Sequence, residues 1–417
     1  MEPQPETATA TATVRVCGQD IQTTAGELVL AGVQVTGPAA FTALSQVVNL
    51  RTITLTNMTF SDVGWESLLA GIKACPHLAH LNLTACGLGP KHSADLATIF
   101  SSGCCNIDTL CLAKNGLTGA TFYSSGNVRD GVDSNLDGIS TLFAALKTSQ
   151  VICIDFSGCG LGPLGVSSVA DYVRDATASV VTINCLANNF GDEELSTLLA
   201  AVKGTSVRSL CGLTEGQTVA DFSDQNLGPF DCKIMAAEFA FQGFIASLAS
   251  LCVSGNLITG SKNEYSDNSG KWTCDLDLSV LTALGEAMTT SKTLTSIDFS
   301  NCQISAKGVT VIAEFTPKIR SIAYLDVSGC NLQGHEEVGA QLMTAANEMD
   351  RVRLRAYQVL AFSEVMHERL GSSCTIDVVG DVCSRVADKM RQLHGHEALC
   401  SRLVDCGQTW FKVVIRG

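Results

Sequence analysis

The sequence predicts an α/β solenoid: a stack of short strand-turn-helix units with a parallel sheet along one side and helices along the other. Three observations lead there. An eleven-residue pattern, L-x-x-L-x-L-x-x-N/C-x-L, recurs down most of the 417 residues. Its early starts, Leu50, Leu78 and Ile107, lie 28 and 29 residues apart. Finally, 46% of residues are hydrophobic but only 6% are aromatic, a composition that suits thin layers of Leu, Ala, Val and Ile better than one bulky core.

A degenerate copy, AGELVLAGVQV from Ala25, opens the series. It is followed by LRTITLTNMTF from Leu50, LAHLNLTACGL from Leu78, IDTLCLAKNGL from Ile107, VICIDFSGCGL from Val151 and VVTINCLANNF from Val180. LASLCVSGNLI from Leu248, LTSIDFSNCQI from Leu294 and IAYLDVSGCNL from Ile322 continue it. Alternating apolar residues, such as Ile297 and Phe299, predict a short strand with one buried face. The Asn or Cys slot turns the chain, because Asn can bond neighbouring backbone groups and Cys packs as a small weak donor. Helical spacing follows, as in Leu195-Leu198-Leu199-Val202 and Val309-Ile312-Ala313. One such unit buries too little to offset the entropy of ordering it, so neighbouring units must stack.

The pattern resembles the leucine-rich-repeat family, in the long-repeat, ribonuclease-inhibitor-like class that includes NOD-like receptors and the Ran GTPase-activating protein. The resemblance spans roughly Val14 to Asn347. It implies a horseshoe with strands lining a concave face and helices on the convex side, and a protein that binds other proteins.

Two insertions interrupt the register. Ile107 to Val151 is 44 residues, with the excess in Thr118-Gly119 to Asp137-Gly138, and Leu248 to Leu294 is 46, with the excess in Ser261 to Cys274. Both follow a strand's turn, so both are expected on one rim of the horseshoe, where loops make contact sites. A third irregularity, Val207 to Leu248, predicts a strand near Leu210, an excursion at Thr214 to Thr218, and a second strand near Ala220 to Phe222; two short copies are the alternative.

Domain organisation follows: 1–13 as a disordered N-terminal segment, 14–350 as the solenoid, and 351–417 as a small α/β cap or accessory module. In this last part RVRLRAYQVLAFSEVMHERL and VCSRVADKMRQL have helical spacing, whereas CTIDVV and WFKVVIRG resemble strands.

The net charge is −14 and uneven. Arg351 to Gly417 holds 10 of the 27 basic and 7 of the 41 acidic residues, so the tail is near +3 and the rest near −17. An acidic surface repels a phosphate backbone, which argues against nucleic acid and for a partner with a basic surface. No apolar run reaches the ~20 residues of a membrane span. No secretory signal opens the chain, so the 19 cysteines are expected as reduced thiols in a cytoplasmic protein. Cys86, Cys159, Cys302 and Cys330 share the turn slot, where a small buried residue is required.

Several motifs have a chemical reading and a structural one. Asp133-Ser134-Asn135-Leu136-Asp137-Gly138 matches the first half of a calcium loop, but position twelve is Ala144 rather than an acid, so a turn and helix cap are expected. Gly160, Gly162 and Gly165 fit G-x-G-x-x-G, yet Gly89-Pro90 and Gly228-Pro229 occupy the same slot, which makes them repeat turns. Cys383, His394, His396, Cys400 and Cys406 match no established zinc spacing. No cofactor, metal or catalytic residue is expected, and no enzyme activity.

The middle outward residues of successive strands are Thr54, Asn82, Cys111, Asp155, Asn184, Cys211, Asp221, Cys252, Asp298 and Asp326. From this face Asn82, Asp155, Asn184, Asp221, Asp298, Asp326 and Tyr324 are the candidate partner-binding residues. The expected function is a protein-protein interaction scaffold, or a subunit of a large multisubunit assembly. The alternative is a GTPase activator resembling the Ran GTPase-activating protein.

Overall fold

The computed structural model describes residues 12–176, 180–263, 272–330, 351–355, 375–379, 398–405 and 408–415. The chain divides into two compact units, Met1–Val207 and Arg208–Gly417. The segment 1–11, expected to be disordered, lies outside the described residues.

The first unit opens with an antiparallel hairpin, β1 (Thr13–Val16) and β2 (Gln19–Gln22). Next come β3 (Glu27–Ala31), β4 (Gln34–Val35), β5 (Thr52–Thr56), β6 (Thr59–Phe60), α1 (Asp62–Lys73), β7 (His80–Asn82), α2 (Pro90–Ser102) and β8 (Thr109–Cys111). The unit continues with β9 (Thr121–Phe122), β10 (Val128–Asp130), α3 (Asp137–Leu146), β11 (Cys153–Asp155), α4 (Pro163–Asp175), β12 (Thr182–Asn184) and α5 (Asp192–Val202). Strands β3, β5, β7, β8, β11 and β12 form one parallel sheet in sequence order. In the degenerate first repeat a 3-10 turn, Thr42–Gln46, stands where later repeats carry an α-helix.

The second unit contains β13 (Val219–Asp221), α6 (Pro229–Ala240), β14 (Ser250–Cys252), β15 (Lys262–Asn263), β16 (Trp272–Thr273), α7 (Ser279–Met288), β17 (Ser296–Asp298), α8 (Ala306–Phe315) and β18 (Tyr324–Asp326). It ends with β19 (Arg351–Arg355), β20 (Thr375–Val379), β21 (Ala398–Asp405) and β22 (Gln408–Ile415). Its sheet runs β13-β14-β17-β18-β19-β20-β22-β21, parallel up to β20 and antiparallel thereafter.

The two apolar positions of each strand are the core. Ile53 and Leu55, Leu81 and Leu83, Leu110 and Leu112, Ile154 and Phe156, Ile297 and Phe299, and Leu325 and Val327 are all buried. Helix residues at the expected spacing close over them: Leu198, Val309, Ile312 and Ala313 are buried, and Phe143 of α3 meets Phe156 edge-on at 5.4 Å.

The turn slot works in two ways. Asn115 is 1% exposed and donates its amide to the carbonyls of Leu83, Leu112 and Ala113. Its Oδ1 accepts from the Cys86 and Leu88 N–H groups of the preceding repeat, both at 3.0 Å. Asn188 and Asn256 repeat this arrangement in their own repeats. Cys86, Cys159, Cys302 and Cys330 instead donate a thiol to the Leu55, Leu112, Val253 and Phe299 carbonyls of the preceding repeat. Every one of these groups satisfies a backbone atom that the turn removes from water.

Two expectations need correction. Arg351–Arg355, expected as helix, is a strand: Val352 and Leu354 alternate with arginines at period two, and pairing with β18 and β20 overrides the longer helical spacing. The strands expected in CTIDVV and WFKVVIRG are β20 and β22; β21 had no sequence expectation, and the helix expected in VCSRVADKMRQL lies outside the described residues. No strand of several residues forms at Leu210. There the buried Glu238 carboxylate of α6 accepts the N–H groups of Leu210 (2.8 Å) and Cys211 (3.1 Å), together with the Ser209 hydroxyl and the Ile245 N–H. The second strand expected there is β13, and a turn at Glu215–Gly216 separates the two segments.

Candidate binding surface

Both insertions fold as antiparallel hairpins placed after a strand's turn. In the first, β9 pairs with β10; in the second, β15 pairs with β16. The segments that carry them match position by position. Leu110-Cys111-Leu112, Asn115 and Leu117-Thr118-Gly119 correspond to Leu251-Cys252-Val253, Asn256 and Ile258-Thr259-Gly260. Asp133, Asp155-Phe156 and Cys159 then correspond to Asp275, Asp298-Phe299 and Cys302. Gly119 and Gly260 both take positive φ (96° and 76°), a conformation that favours glycine. The Thr118 carbonyl accepts from the Asn135 N–H at 2.9 Å, and the Thr259 carbonyl from the Asp277 N–H at 3.0 Å.

Each hairpin is tied to the next repeat by one carboxylate. Asp133 accepts the N–H groups of Gly162 (3.0 Å), Leu164 (2.8 Å) and Gly165 (3.0 Å), the free donors at the start of α4. Asp275 accepts from Ser305 N–H (3.1 Å), Gly308 N–H (3.1 Å) and the Ser305 hydroxyl at the start of α8. The negative charge also sits at the positive end of each helix dipole. The glycines there allow close approach: a Cβ on Gly160 would lie 2.5 Å from Ala120 Cβ, and one on Gly162 would lie 2.4 Å from the Val132 side chain.

This geometry decides the motif readings. The α4 N-terminus that a G-x-G-x-x-G phosphate loop would need already holds Asp133. The calcium reading fails for the same reason, because Asn135 Oδ1 also accepts the Asp137 N–H at 3.1 Å and so helps cap α3. Among the described residues, no group of three His, Cys, Asp or Glu side chains is placed to hold a metal. Of the zinc candidates, Cys383, His394, His396 and Cys406 lie outside the described residues; Cys400 is on β21.

The outward row is in register within each unit. Thr54, Asn82, Cys111, Asp155 and Asn184 are neighbours across β5, β7, β8, β11 and β12. Asp221, Cys252, Asp298 and Asp326 are neighbours across β13, β14, β17 and β18. One side-chain oxygen of each Asn or Asp is spent on its own turn. Asn82, Asp155, Asn184, Asp221, Asp298 and Asp326 accept the N–H two residues ahead, from Thr84, Ser157, Leu186, Ser223, Ser300 and Ser328. The residue type at this slot therefore serves the turn first; an Asp has a second oxygen beyond that bond, and an Asn has its amide N–H groups.

That second oxygen differs along the row. Asp155 Oδ2 accepts the Cys111 thiol at 3.6 Å, and Asp326 Oδ2 accepts the Tyr324 hydroxyl at 3.1 Å. Asp326 is 1% exposed, whereas Asp221 is exposed and Asp155 and Asp298 are half-buried. Cys211 is buried on the loop that Glu238 holds. The Ser223 hydroxyl and N–H hold the Asp221 carboxyl below its ordinary range, so it stays charged. Burial pushes Cys111 up to about 11 and Cys252 up to about 12, with Asp155 and Asp298 adding to the effect, so both thiols are neutral at physiological pH.

Sequence reasoning missed the capping role of Asp133 and Asp275 and the buried carboxylate of Glu238. The signal for the first was present in the recurrence of an aspartate 18 residues after Asn115 and 19 after Asn256, at the close of each insertion; Glu238, on a helix among apolar residues, gave none.

A family model described as "Leucine Rich repeat" matches residues 290–313. A solved leucine-rich-repeat-containing protein, LegL7 from Legionella pneumophila, is similar at 17% identity, over 89% of this chain and 99% of that one, with a TM-score of 0.38. An internalin (inlF) from Listeria monocytogenes is similar at 15% identity, over 83% of this chain and 88% of that one, with a TM-score of 0.37. Among curated proteins no relative matches the chain. The recurring pattern, its buried strand positions and the bonded Asn and Cys turns give the chain the strand-turn-helix architecture of leucine-rich repeats, and the segment matched by the family model is one such unit.

Proposed function

We propose that the chain is a protein-binding scaffold, and that in each unit a partner engages the outward strand face together with the hairpin that the unit carries. The observation that carries this reading is the anchoring of both hairpins. A polar loop without a task has no need of a carboxylate fixed to three donors of the next repeat, whereas a contact loop benefits, because order present before binding is not lost on binding. The outward face of the second unit adds charge: the exposed Asp221 and half-buried Asp298 suit Lys or Arg side chains on the partner. Catalysis has no place in this reading.

Crosslinking of the native protein, followed by mass spectrometry, tests it. Crosslinks to one partner should concentrate on residues of the hairpins and the strand face. Stimulated GTP hydrolysis by a partner GTPase would favour the activator reading instead, and crosslinks confined to the helices would refute the surface assigned here.

A further inference from the structure

Away from the strand face, Cys104 and Cys105 lie in the loop from α2 to β8. Gly103, left-handed at φ +59°, ends α2 and turns the chain, and the two thiols follow with their sulfurs 3.5 Å apart. The Ser102 hydroxyl donates to Cys104 Sγ at 3.0 Å, and the Cys105 thiol donates to the Ile72 carbonyl at 3.2 Å. Both cysteines are partly exposed.

We propose that Cys104 and Cys105 form a dithiol modification site that a small-molecule disulfide of the glutathione disulfide class closes into a vicinal disulfide. Cys104, having lost its proton to solvent, attacks one sulfur of the reagent. The reagent's S–S bond breaks, one thiolate leaves, and a mixed disulfide remains on Cys104. Cys105 then loses its proton and attacks Cys104 Sγ, and the second thiolate leaves. The protein gives up two electrons and two protons, and the reagent is reduced to two thiols.

Burial pushes the Cys105 thiol up to about 12, which disfavours it as the first nucleophile and leaves that attack to Cys104. In the second step the contact of Cys105 with the Cys104 sulfur replaces a bimolecular encounter. Adjacent Cα atoms are fixed about 3.8 Å apart, shorter than the usual disulfide span of about 4.4–6.8 Å, so the ring is strained and readily reduced. Closure also takes the Cys105 donor from the Ile72 carbonyl near the end of α1.

The test uses the full chain, oxidised with glutathione disulfide, alkylated, and mapped by mass spectrometry. The peptide holding Cys104 and Cys105 should lose two hydrogens and resist alkylation at both positions, and dithiothreitol should restore both thiols. Cys105→Ser keeps a donor for the Ile72 carbonyl; it should stop at one glutathione on Cys104. Either a persistent glutathione adduct on wild-type Cys104, or full alkylation of both cysteines at equilibrium, overturns the proposal.

Discussion

From Leu110 to Tyr172 in the first unit, and from Leu251 to Phe315 in the second, the chain passes through the same strand, Asn turn, hairpin, capping aspartate and pair of helices. What the two segments share is what the backbone demands. Asn115 and Asn256 bond the same turn atoms, Gly119 and Gly260 share a left-handed conformation, and Asp133 and Asp275 cap the corresponding helices. What differs faces outward or fills space. The row Asn82, Cys111, Asp155, Asn184 carries one carboxylate, whereas Asp221, Cys252, Asp298, Asp326 carries three. Phe143 stacks on Tyr172 with centroids 5.2 Å apart in the first unit, whereas Gly285 lies against the Phe315 ring in the second. Architecture is held constant while the outward surface changes.

The largest expected effect breaks the comparison, because it falls where the second unit has no counterpart in the first. Glu238→Ala leaves the Leu210, Cys211 and Ile245 N–H groups without their acceptor and should cost about 3 kcal/mol or more, read by denaturant unfolding. Burial raises the Glu238 carboxyl above the ordinary carboxylate range, so folding favours its protonated form. Its contribution is complete below the unfolded value and is lost as pH rises through the folded one. Glu238→Gln, which does not ionise, should flatten that part of the stability-pH curve.

Asn115→Ala and Asn256→Ala sharpen the comparison. Each removes a buried amide that bridges two repeats and should cost roughly 2–4 kcal/mol. Costs that differ by more than about 1 kcal/mol would show that the two turns are not equivalent. Asp133→Ala and Asp275→Ala come next, at about 1–2 kcal/mol each for a lost cap, with faster hydrogen exchange in the first turn of α4 or α8 respectively. Tyr172→Phe should be smallest. Its hydroxyl is buried without a hydrogen-bond partner and the matching residue is Phe315, so the substitution should leave stability unchanged or raise it by up to about 1 kcal/mol.

The repeats were legible because each apolar position answers to the same neighbours in every coil, so one physical requirement is written many times. The insertions were legible as excess length. Their hairpin form and their anchors were not, since Asp133 reads as a turn residue until Gly162, Leu164 and Gly165 are seen beside it. Glu238 was hidden for a related reason: a single carboxylate on a helix reveals nothing of the loop it serves, and that loop therefore read as a strand. The aspartate row answers first to the turn, which every member serves through one oxygen, and its last member, Asp326, is buried.

The central claim of the proposal is that in each unit the hairpin and the strand face together receive a partner. It is tested most directly by replacing 121–130 and 262–273 with short turns while keeping Asp133 and Asp275, then measuring affinity for the crosslinked partner. With the circular dichroism of the parent retained, the account predicts binding weaker by at least about tenfold, or ~1.4 kcal/mol. Unchanged affinity in a folded variant would contradict it.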